Sequence, residues 1–216
     1  MTTYSKGKGL PNAYGKDYKF SMDWFTPSIP IWRKALAPYV SKPDLQYLEI
    51  GVFEGRSLIW VAENVLTNPS SHFTVIDPFL DQFEDKNSNS EEYDKDWFAK
   101  KNVETTYYDN IRLCGIEDRV TTMKGFSQTE MEKLPIAAYD IIYIDGSHRT
   151  RDVLEDAILA MRRLKVGGII IFDDYLWGGE KYSSPFPAIN IFYALYEDEL
   201  DVVHKGYQVI FTKKER

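Results

Sequence analysis

The chain has 216 residues, 44% of them hydrophobic, which is enough for one domain with a substantial buried core. Its 33 acidic and 26 basic residues give a formal charge of -7, which argues against a general electrostatic footprint for nucleic acid or an anionic membrane. The single cysteine, Cys114, excludes an internal disulfide. No apolar signal segment opens the chain, and the longest aliphatic run, residues 167–172, is too short to cross a bilayer. We therefore expect a soluble, cytoplasmic protein.

The first 22 residues are predicted to be a tail, or a segment that becomes ordered only on its own domain or on a partner. They are rich in Gly, Lys, Tyr and Asn and show no helical or strand periodicity. The domain itself is predicted to span residues 23–216 and to begin with a short amphipathic helix around Trp32. Trp24 and Phe25, like Trp32, either line a ligand pocket or belong to the core.

The stretch YLEIGVFEGRS, residues 47–57, reads as a buried strand that runs straight into a helix. A carboxylate, Glu49, interrupts the apolar run, and Gly51 and Gly55 allow backbone torsions and close approaches that a side chain would forbid. Ser57 is placed to cap the helix that follows. Because the start of a helix offers unpaired N–H groups and a partial positive charge, this junction is predicted to be a ligand site.

Asp77 ends the second predicted strand, residues 72–76, and precedes Pro78. In a doubly wound sheet an acidic residue at this point lies where a ribose binds, and its carboxylate accepts hydrogen bonds from the hydroxyls. The alternative is a turn-forming Asp-Pro pair that needs no ligand. Residues 79–100 then change character to polar and acidic, which predicts an insertion that is either a substrate lid or a solvated loop.

Strand, turn and helix signals alternate through the rest of the chain, which is typical of a parallel α/β sheet. We predict a three-layer, doubly wound, mostly parallel seven-stranded sheet with a terminal hairpin that supplies an antiparallel last strand. The glycines at residues 167 and 168 are expected to close the helix before the fifth strand. The later strands are predicted at residues 119–124, 139–144, 169–172 and, for the hairpin, 201–212.

Three carboxylates are predicted at the carboxyl ends of two neighbouring strands: Asp145, Asp173 and Asp174. Like charges a few ångströms apart raise one another's pKa and destabilise the fold, so a counter-charge is expected. A hard divalent cation such as Mg²⁺ with oxygen ligands is the simplest solution. The alternative is that Asp173 or Asp174 caps a helix or pairs with Arg or Lys.

His148 lies three residues after Asp145 and is a candidate general base, because the ordinary pKa of histidine is near neutral. The alternative is that it packs against a cofactor or caps the next helix.

The spacing Glu-x-Gly-x-x-x-Gly-x-Ser over residues 49–57 resembles the first motif of class I S-adenosylmethionine-dependent methyltransferases. It differs from the Gly-x-Gly-x-x-Gly dinucleotide motif. The acidic residues after the fourth and fifth strands resemble those of metal-dependent small-molecule O-methyltransferases, and the nearest likeness is to stand-alone methyltransferase domains with Asp-Gly-x-His after the fourth strand. The resemblance extends from Trp24 to Lys213.

The resemblance implies an enzyme that uses S-adenosylmethionine, with possible Mg²⁺, to methylate a small hydroxylated acceptor. It also implies that Ser127 and Gln128 contact the adenine, although a helix cap is an alternative and both roles can coexist. The implied cofactor-binding residues are Glu49, Gly51, Val52, Phe53, Glu54, Gly55, Ser57, Asp77, Ser127, Gln128, Asp145 and His148. The implied catalytic residues are His148 and Asp145, and the implied metal ligands are Asp145, Asp173 and Asp174.

Two departures bear on the base and the acceptor. Catechol-type enzymes have a lysine where this chain has His148, and similar sugar O-methyltransferases have an aspartate where it has Ser147. A nicotinamide-dependent oxidoreductase and a non-catalytic S-adenosylmethionine-binding module are rival functions. No nucleic-acid or membrane partner is expected, and a homo-oligomer is left open.

Overall fold

The computed structural model describes residues 16–79, 102–178 and 184–215. Its centre is a seven-stranded sheet in the order β3-β2-β1-β4-β5-β7-β6. All neighbouring pairs from β3 to β5 are parallel, whereas β7 runs antiparallel to both β5 and β6. The predicted fold class is confirmed. The strands are β1 (Gln46–Ile50), β2 (His72–Asp77), β3 (Val120–Lys124), β4 (Tyr139–Ile144), β5 (Leu164–Phe172), β6 (Leu200–Lys205) and β7 (Val209–Lys213).

Helices cover both faces of the sheet. They are α1 (Ile29–Ala35), α2 (Arg56–Asn64), α3 (Val103–Cys114), α4 (Ser127–Met131), α5 (Thr150–Arg163) and α6 (Pro185–Tyr196). One core lies between the sheet and α1, α2 and α3, and a second lies between the sheet and α4, α5 and α6. Side chains of β1 alternate between them, with Tyr47 in the first core and Leu48 and Ile50 in the second. Burying each such side chain contributes about 1.5–3 kcal/mol.

The aromatic residues at the start of the domain are divided between the core and the surface. Phe25 and Trp32 are buried, and their rings meet edge to face with centroids 4.9 Å apart. Trp24 is 44% exposed and lies 5.2 Å from the ring of Phe53 in the turn after β1. Trp32 is therefore a core residue, while Trp24 stands beside the predicted ligand turn.

Two helix ends differ from the predictions. Helix α2 begins at Arg56 after the left-handed Gly55, so Ser57 lies inside the helix and does not cap it. Helix α5 ends at Arg163 without a glycine stop, because Leu164 already pairs with Tyr139 in the sheet.

Residues 16–22 contact the domain, although the sequence analysis placed them in the tail. Asn110 on α3 accepts from the backbone N–H of Lys19 and donates to its carbonyl, at 2.9 and 2.8 Å. The guanidinium of Arg56 donates to the carbonyl of Met22 at 3.1 Å and lies 4.3 Å from the ring centre of Phe20. In this structure residues 16–22 therefore pack against α2 and α3.

The predicted lid, residues 79–100, falls outside the described residues except for Phe79. That side chain is buried and packs 5.3 Å from the ring of Tyr107 on α3, so it belongs to the core. Over the described ranges, the structure contains no helix with the length and apolar character needed to cross a membrane.

Candidate active site

The turn after β1 brings two strand ends into contact. Gly51 has φ +81°, and a Cβ on it would overlap the backbone carbonyl of Asp145 and lie 2.7 Å from Gly146 Cα, so only glycine fits. The N–H of Gly51 donates to the carbonyl of Ile76 at 2.9 Å, and the N–H of Asp145 donates to that of Ile50 at 2.8 Å. The carboxyl ends of β1, β2 and β4 therefore form one continuous edge.

Asp77 holds this turn from the neighbouring strand. Its Oδ2 accepts from the N–H groups of Val52 and Phe53 at 2.8 and 3.0 Å, and its Oδ1 accepts from the N–H of Phe79 at 2.7 Å. Burial raises the pKa of Asp77, although these three bonds oppose the shift. Since a carboxylate has about four lone-pair sites, roughly one remains for a ligand.

Glu49 lies under the turn and has no exposed surface. Its carboxyl group accepts from the hydroxyl of Tyr47 at 2.8 Å and from the hydroxyl of Ser57. Burial raises the pKa of Glu49 to about 8, against the opposing effect of these two hydrogen bonds. Glu49 and Ser57 therefore meet each other inside the protein, and they support the turn from below.

Glu54 is also buried, and its carboxylate accepts from the N–H of Ser21 at 2.5 Å. Glu54 is one of the predicted cofactor-binding residues of this turn, and its carboxylate faces the amino-terminal segment.

Ser127 and Gln128 lie at the start of α4, after β3, and share one partner. The Ser127 hydroxyl and the Gln128 side-chain amide donate to Oδ1 of Asp156 at 2.7 and 3.0 Å. No side-chain hydrogen bond caps α4, so the structure does not contain the helix cap that was the alternative role for these two residues. Asp156 was missed by the sequence analysis, although a carboxylate at a buried position of α5 between Val153 and Ala157 is the kind of signal that could have revealed it.

Beyond Gly51 the same edge holds an acidic cluster. Asp145, His148 and Asp174 each offer a ligand atom, and these atoms lie within 4.8 Å of one another. Nε2 of His148 is 2.7 Å from Oδ2 of Asp174, and the hydroxyl of Tyr207 donates to the other oxygen at 2.6 Å. Burial alone would raise the pKa of Asp174, but the bonds and the charge of His148 outweigh it and lower the pKa. Trp177 packs against His148 with ring centres 4.6 Å apart.

Asp173 is not among these three ligand residues and has partners of its own. Its carboxylate accepts from the hydroxyl of Tyr143 and, at 3.0 Å, from the amide of Gln208. The indole N–H of Trp32 donates to the other end of the Gln208 amide at 2.7 Å and so fixes its orientation. Burial and then the charge of Asp174 raise the pKa of Asp173 to about 6.

Asp145 has the most strongly perturbed carboxyl group of the three. Its pKa lies well above the ordinary value because of burial and the nearby charges of Asp173 and Asp174, and a 2.8 Å bond from Tyr143 only partly offsets this. The structure therefore brings together Asp145, Asp174 and the predicted base His148, while Asp173 is bonded to Tyr143 and Gln208 beside them. Asp145, Ser147, His148, Asp173 and Asp174 line one small cleft.

This sheet order, with a glycine turn after β1 and an acidic residue after β2, defines the class I S-adenosylmethionine-dependent methyltransferases. Residues 48–175 match the family described as "Methyltransferase domain", and the chain belongs to that family.

Individual relatives are distant. An uncharacterised protein of Acanthamoeba polyphaga mimivirus is 29% identical over 140 residues, which are 65% of this chain and 56% of that protein. The Bacillus cereus O-methyltransferase in complex with SAH is 18% identical with a TM-score of 0.59, over 89% of this chain and 83% of that one. A Clostridium thermocellum protein provisionally named an rRNA methylase is 14% identical with a TM-score of 0.64, over 88% and 97%. At these identities the two structural likenesses concern the fold alone.

Proposed function

We propose that the protein transfers the methyl group of S-adenosylmethionine to a hydroxyl group of a small molecule. The observation that supports this most is the backbone contact between Gly51 and Asp145, because it joins the predicted cofactor turn to the acidic cluster. A methyl donor held at the turn would face acid–base groups a few ångströms away, which is the proximity that group transfer requires.

In this proposal the cofactor lies along the ends of β1, β2 and β3. Asp77 accepts one hydrogen bond from the ribose with the lone pair that its three backbone donors leave. Ser127 and Gln128 contact the adenine edge. Glu49 and Ser57 act from beneath the turn, without touching the ligand.

His148 is the proposed general base. The imidazole, held by Asp174 at 2.7 Å, takes the proton of the acceptor hydroxyl as the methyl group arrives. Asp174, itself held by Tyr207, orients the ring and stabilises the imidazolium that forms.

The donor set also fits a divalent cation. In that case Asp145 and Asp174 would supply carboxylate oxygens and His148 a ring nitrogen, so His148 would be a ligand and not the base. This combination suits Mn²⁺ or Zn²⁺ as well as Mg²⁺. Bound there, a cation would lower the pKa of an acceptor hydroxyl and neutralise the carboxylates. Asp173 would serve as a ligand only after exchanging Tyr143 and Gln208, so we assign it a supporting position.

The cofactor is tested by calorimetry with S-adenosylhomocysteine and with NAD. We expect micromolar-range binding of the first and none of the second. Binding of NAD alone would support the oxidoreductase rival and contradict the proposal.

The reaction is tested with a panel of hydroxylated small molecules, following S-adenosylhomocysteine formation with and without EDTA and assaying bound metal in parallel. Loss of transfer in EDTA, restored by a divalent cation, supports the metal. Full activity in EDTA with no bound metal would leave His148 as base in a metal-independent enzyme. No product with any acceptor, despite cofactor binding, would favour the non-catalytic module.

A further inference from the structure

Helix α5 carries a carboxylate on its buried face. Asp156 is 1% exposed, and its Oδ1 accepts from both Ser127 and Gln128. Its other oxygen, Oδ2, is buried and has no hydrogen-bond partner within the described parts of the chain. An aspartate at such a position is costly, since burying an unpartnered polar atom disfavours folding. Nothing in the packing of α5 requires it, because its neighbours on that face, Val153, Ala157 and Ala160, are apolar.

Asp156 fixes which ends of its two partners remain for a ligand. A carboxyl oxygen in this position only accepts, so the single hydrogen of the Ser127 hydroxyl and an amide hydrogen of Gln128 are committed to it. The amide nitrogen of Gln128 therefore points inward and its oxygen points the other way. Protonation of Asp156 at Oδ2 would leave Oδ1 an acceptor, so the arrangement holds in either protonation state. Both partners are half-buried, at the start of α4.

We propose that Asp156 is a positioning residue that makes the base-binding edge of this protein an acceptor of hydrogen bonds, and so selects a 6-aminopurine. This rests on the proposed function, in which Ser127 and Gln128 contact the adenine. The 6-amino group of adenine offers two hydrogens to the Gln128 oxygen and the Ser127 lone pairs. A 6-oxopurine places a carbonyl oxygen there instead, and two sets of acceptors would face each other without a proton between them.

The test compares binding of S-adenosylhomocysteine with that of S-inosylhomocysteine, in which an oxo group replaces the amino group. The wild-type protein should prefer the first by at least about tenfold. In Asp156→Leu the new side chain has nearly the same shape but no polar atom, so nothing holds the Gln128 amide in one orientation and it can turn around. The preference should then fall by about tenfold, mainly through tighter binding of the inosine analogue.

Glu155→Gln is the matched control, because Glu155 is the preceding residue on the same helix and is exposed. Its preference ratio should equal that of the wild type. A merely structural role of Asp156 would weaken both ligands equally and leave the ratio in place, so an unchanged ratio in Asp156→Leu overturns the inference while the proposed function stands. Failure of the wild-type protein to bind S-adenosylhomocysteine overturns both.

A second variant covers the case in which Asp156→Leu does not fold. Gln128→Leu removes the proposed acceptor itself from a half-buried position, and its ratio should fall close to one. A wild-type ratio in Gln128→Leu would overturn the inference without reference to Asp156.

Discussion

The two halves of the sheet's carboxyl edge treat their carboxyl groups differently. At the ends of β1 and β2, Asp77 receives three backbone hydrogen bonds and Glu49 receives two from hydroxyl groups. At the ends of β4 and β5, three carboxylates lie side by side, and Asp145 and Asp173 approach the same tyrosine hydroxyl. Charge on one carboxylate there raises the pKa of the next.

The carboxyl groups of the first half shape the backbone, whereas those of the second half are available for chemistry. Carboxyl groups whose lone pairs are filled by the protein fix a backbone turn and have little left for a ligand. In the crowded half, Asp145 and Asp174 instead retain the capacity to bind a cation, accept a hydrogen bond or orient a base, at a cost in stability. Under the proposed function, the β1–β2 half is a preformed receptor for the cofactor, and the β4–β5 half is where a proton or an ion changes the state of the site.

The largest effect is expected in the β4–β5 half. His148→Ala should lower the rate of methyl transfer by about 10²–10⁴-fold and remove the rise of rate with pH that a histidine base produces. S-adenosylhomocysteine affinity should change by less than about tenfold, since most proposed cofactor contacts lie on the other half. Stopped assays across pH and calorimetry measure the two quantities.

His72→Ala is the control for that variant. His72 lies at the amino end of β2, bonded to Thr121 at 2.8 Å and far along the strand from the site. It should leave both rate and pH profile unchanged. An unaltered pH profile in His148→Ala would remove the histidine from the role of base.

The junction of the two halves should be the least tolerant point of the fold. In Gly51→Ala the new Cβ meets the backbone of Asp145 and Gly146, so the two strand ends must separate, and we expect a loss of about 4 kcal/mol or more. Gly115→Ala has the same φ of +81° but open space around the new atom, and should lose only about 1–2 kcal/mol. Urea unfolding measures both, and equal losses would mean that torsion alone, without the contact, makes Gly51 necessary.

Local patterns were sufficient to predict the sheet and the glycine turn after β1. Buried apolar runs bounded by glycine or aspartate gave β4 its observed bounds, and the terminal hairpin supplied the antiparallel strand. Those signals lie within a few residues of one another, which is the range over which periodicity and turn chemistry operate.

The partners of the site residues could not be predicted in this way. Asp156 is 28 residues from Gln128, and Gln208 is 35 residues from Asp173, so both bonds depend on how the layers pack. Asp173 and Asp174 look alike in sequence, yet Asp174 has φ +57° and the two side chains turn to different partners. The choice between a buried carboxylate and a ligand-facing one is therefore a tertiary property.

A smaller effect is expected for the contacts between residues 16–22 and the β1–β2 half of the edge. Asn110→Ala removes two hydrogen bonds to Lys19 and one, at 2.9 Å, to the carbonyl of Glu54. We expect a loss of about 2 kcal/mol and faster hydrogen exchange over residues 16–22. Asp109→Ala, which breaks an exposed pair with Arg112, should cost less than about 0.5 kcal/mol. Unchanged hydrogen exchange over residues 16–22 in Asn110→Ala would mean that these hydrogen bonds do not hold the segment on the domain, as expected for a tail.

The smallest effect concerns the carboxyl group under the turn. Burial raises the pKa of Glu49 to about 8, from an ordinary value of 4.5, so the folded protein keeps a proton that the unfolded chain releases between these values. The stability from this group is complete below about pH 4.5 and is lost as the pH rises through about 8. Glu49→Gln stays neutral throughout and has nearly the same shape.

The free energy of unfolding of Glu49→Gln, relative to the wild type, should therefore increase with pH. Urea unfolding measures this difference at pH 5 and at pH 8.5. The free energy of unfolding of the variant minus that of the wild type should be more than about 1 kcal/mol larger at pH 8.5 than at pH 5. Asp156 and Asp173 also have raised pKa values, so the wild-type curve alone does not isolate Glu49. An equal difference in free energy at both pH values would mean that Glu49 is ionised under the turn. The β1–β2 half would then hold an unneutralised charge, as the β4–β5 half does.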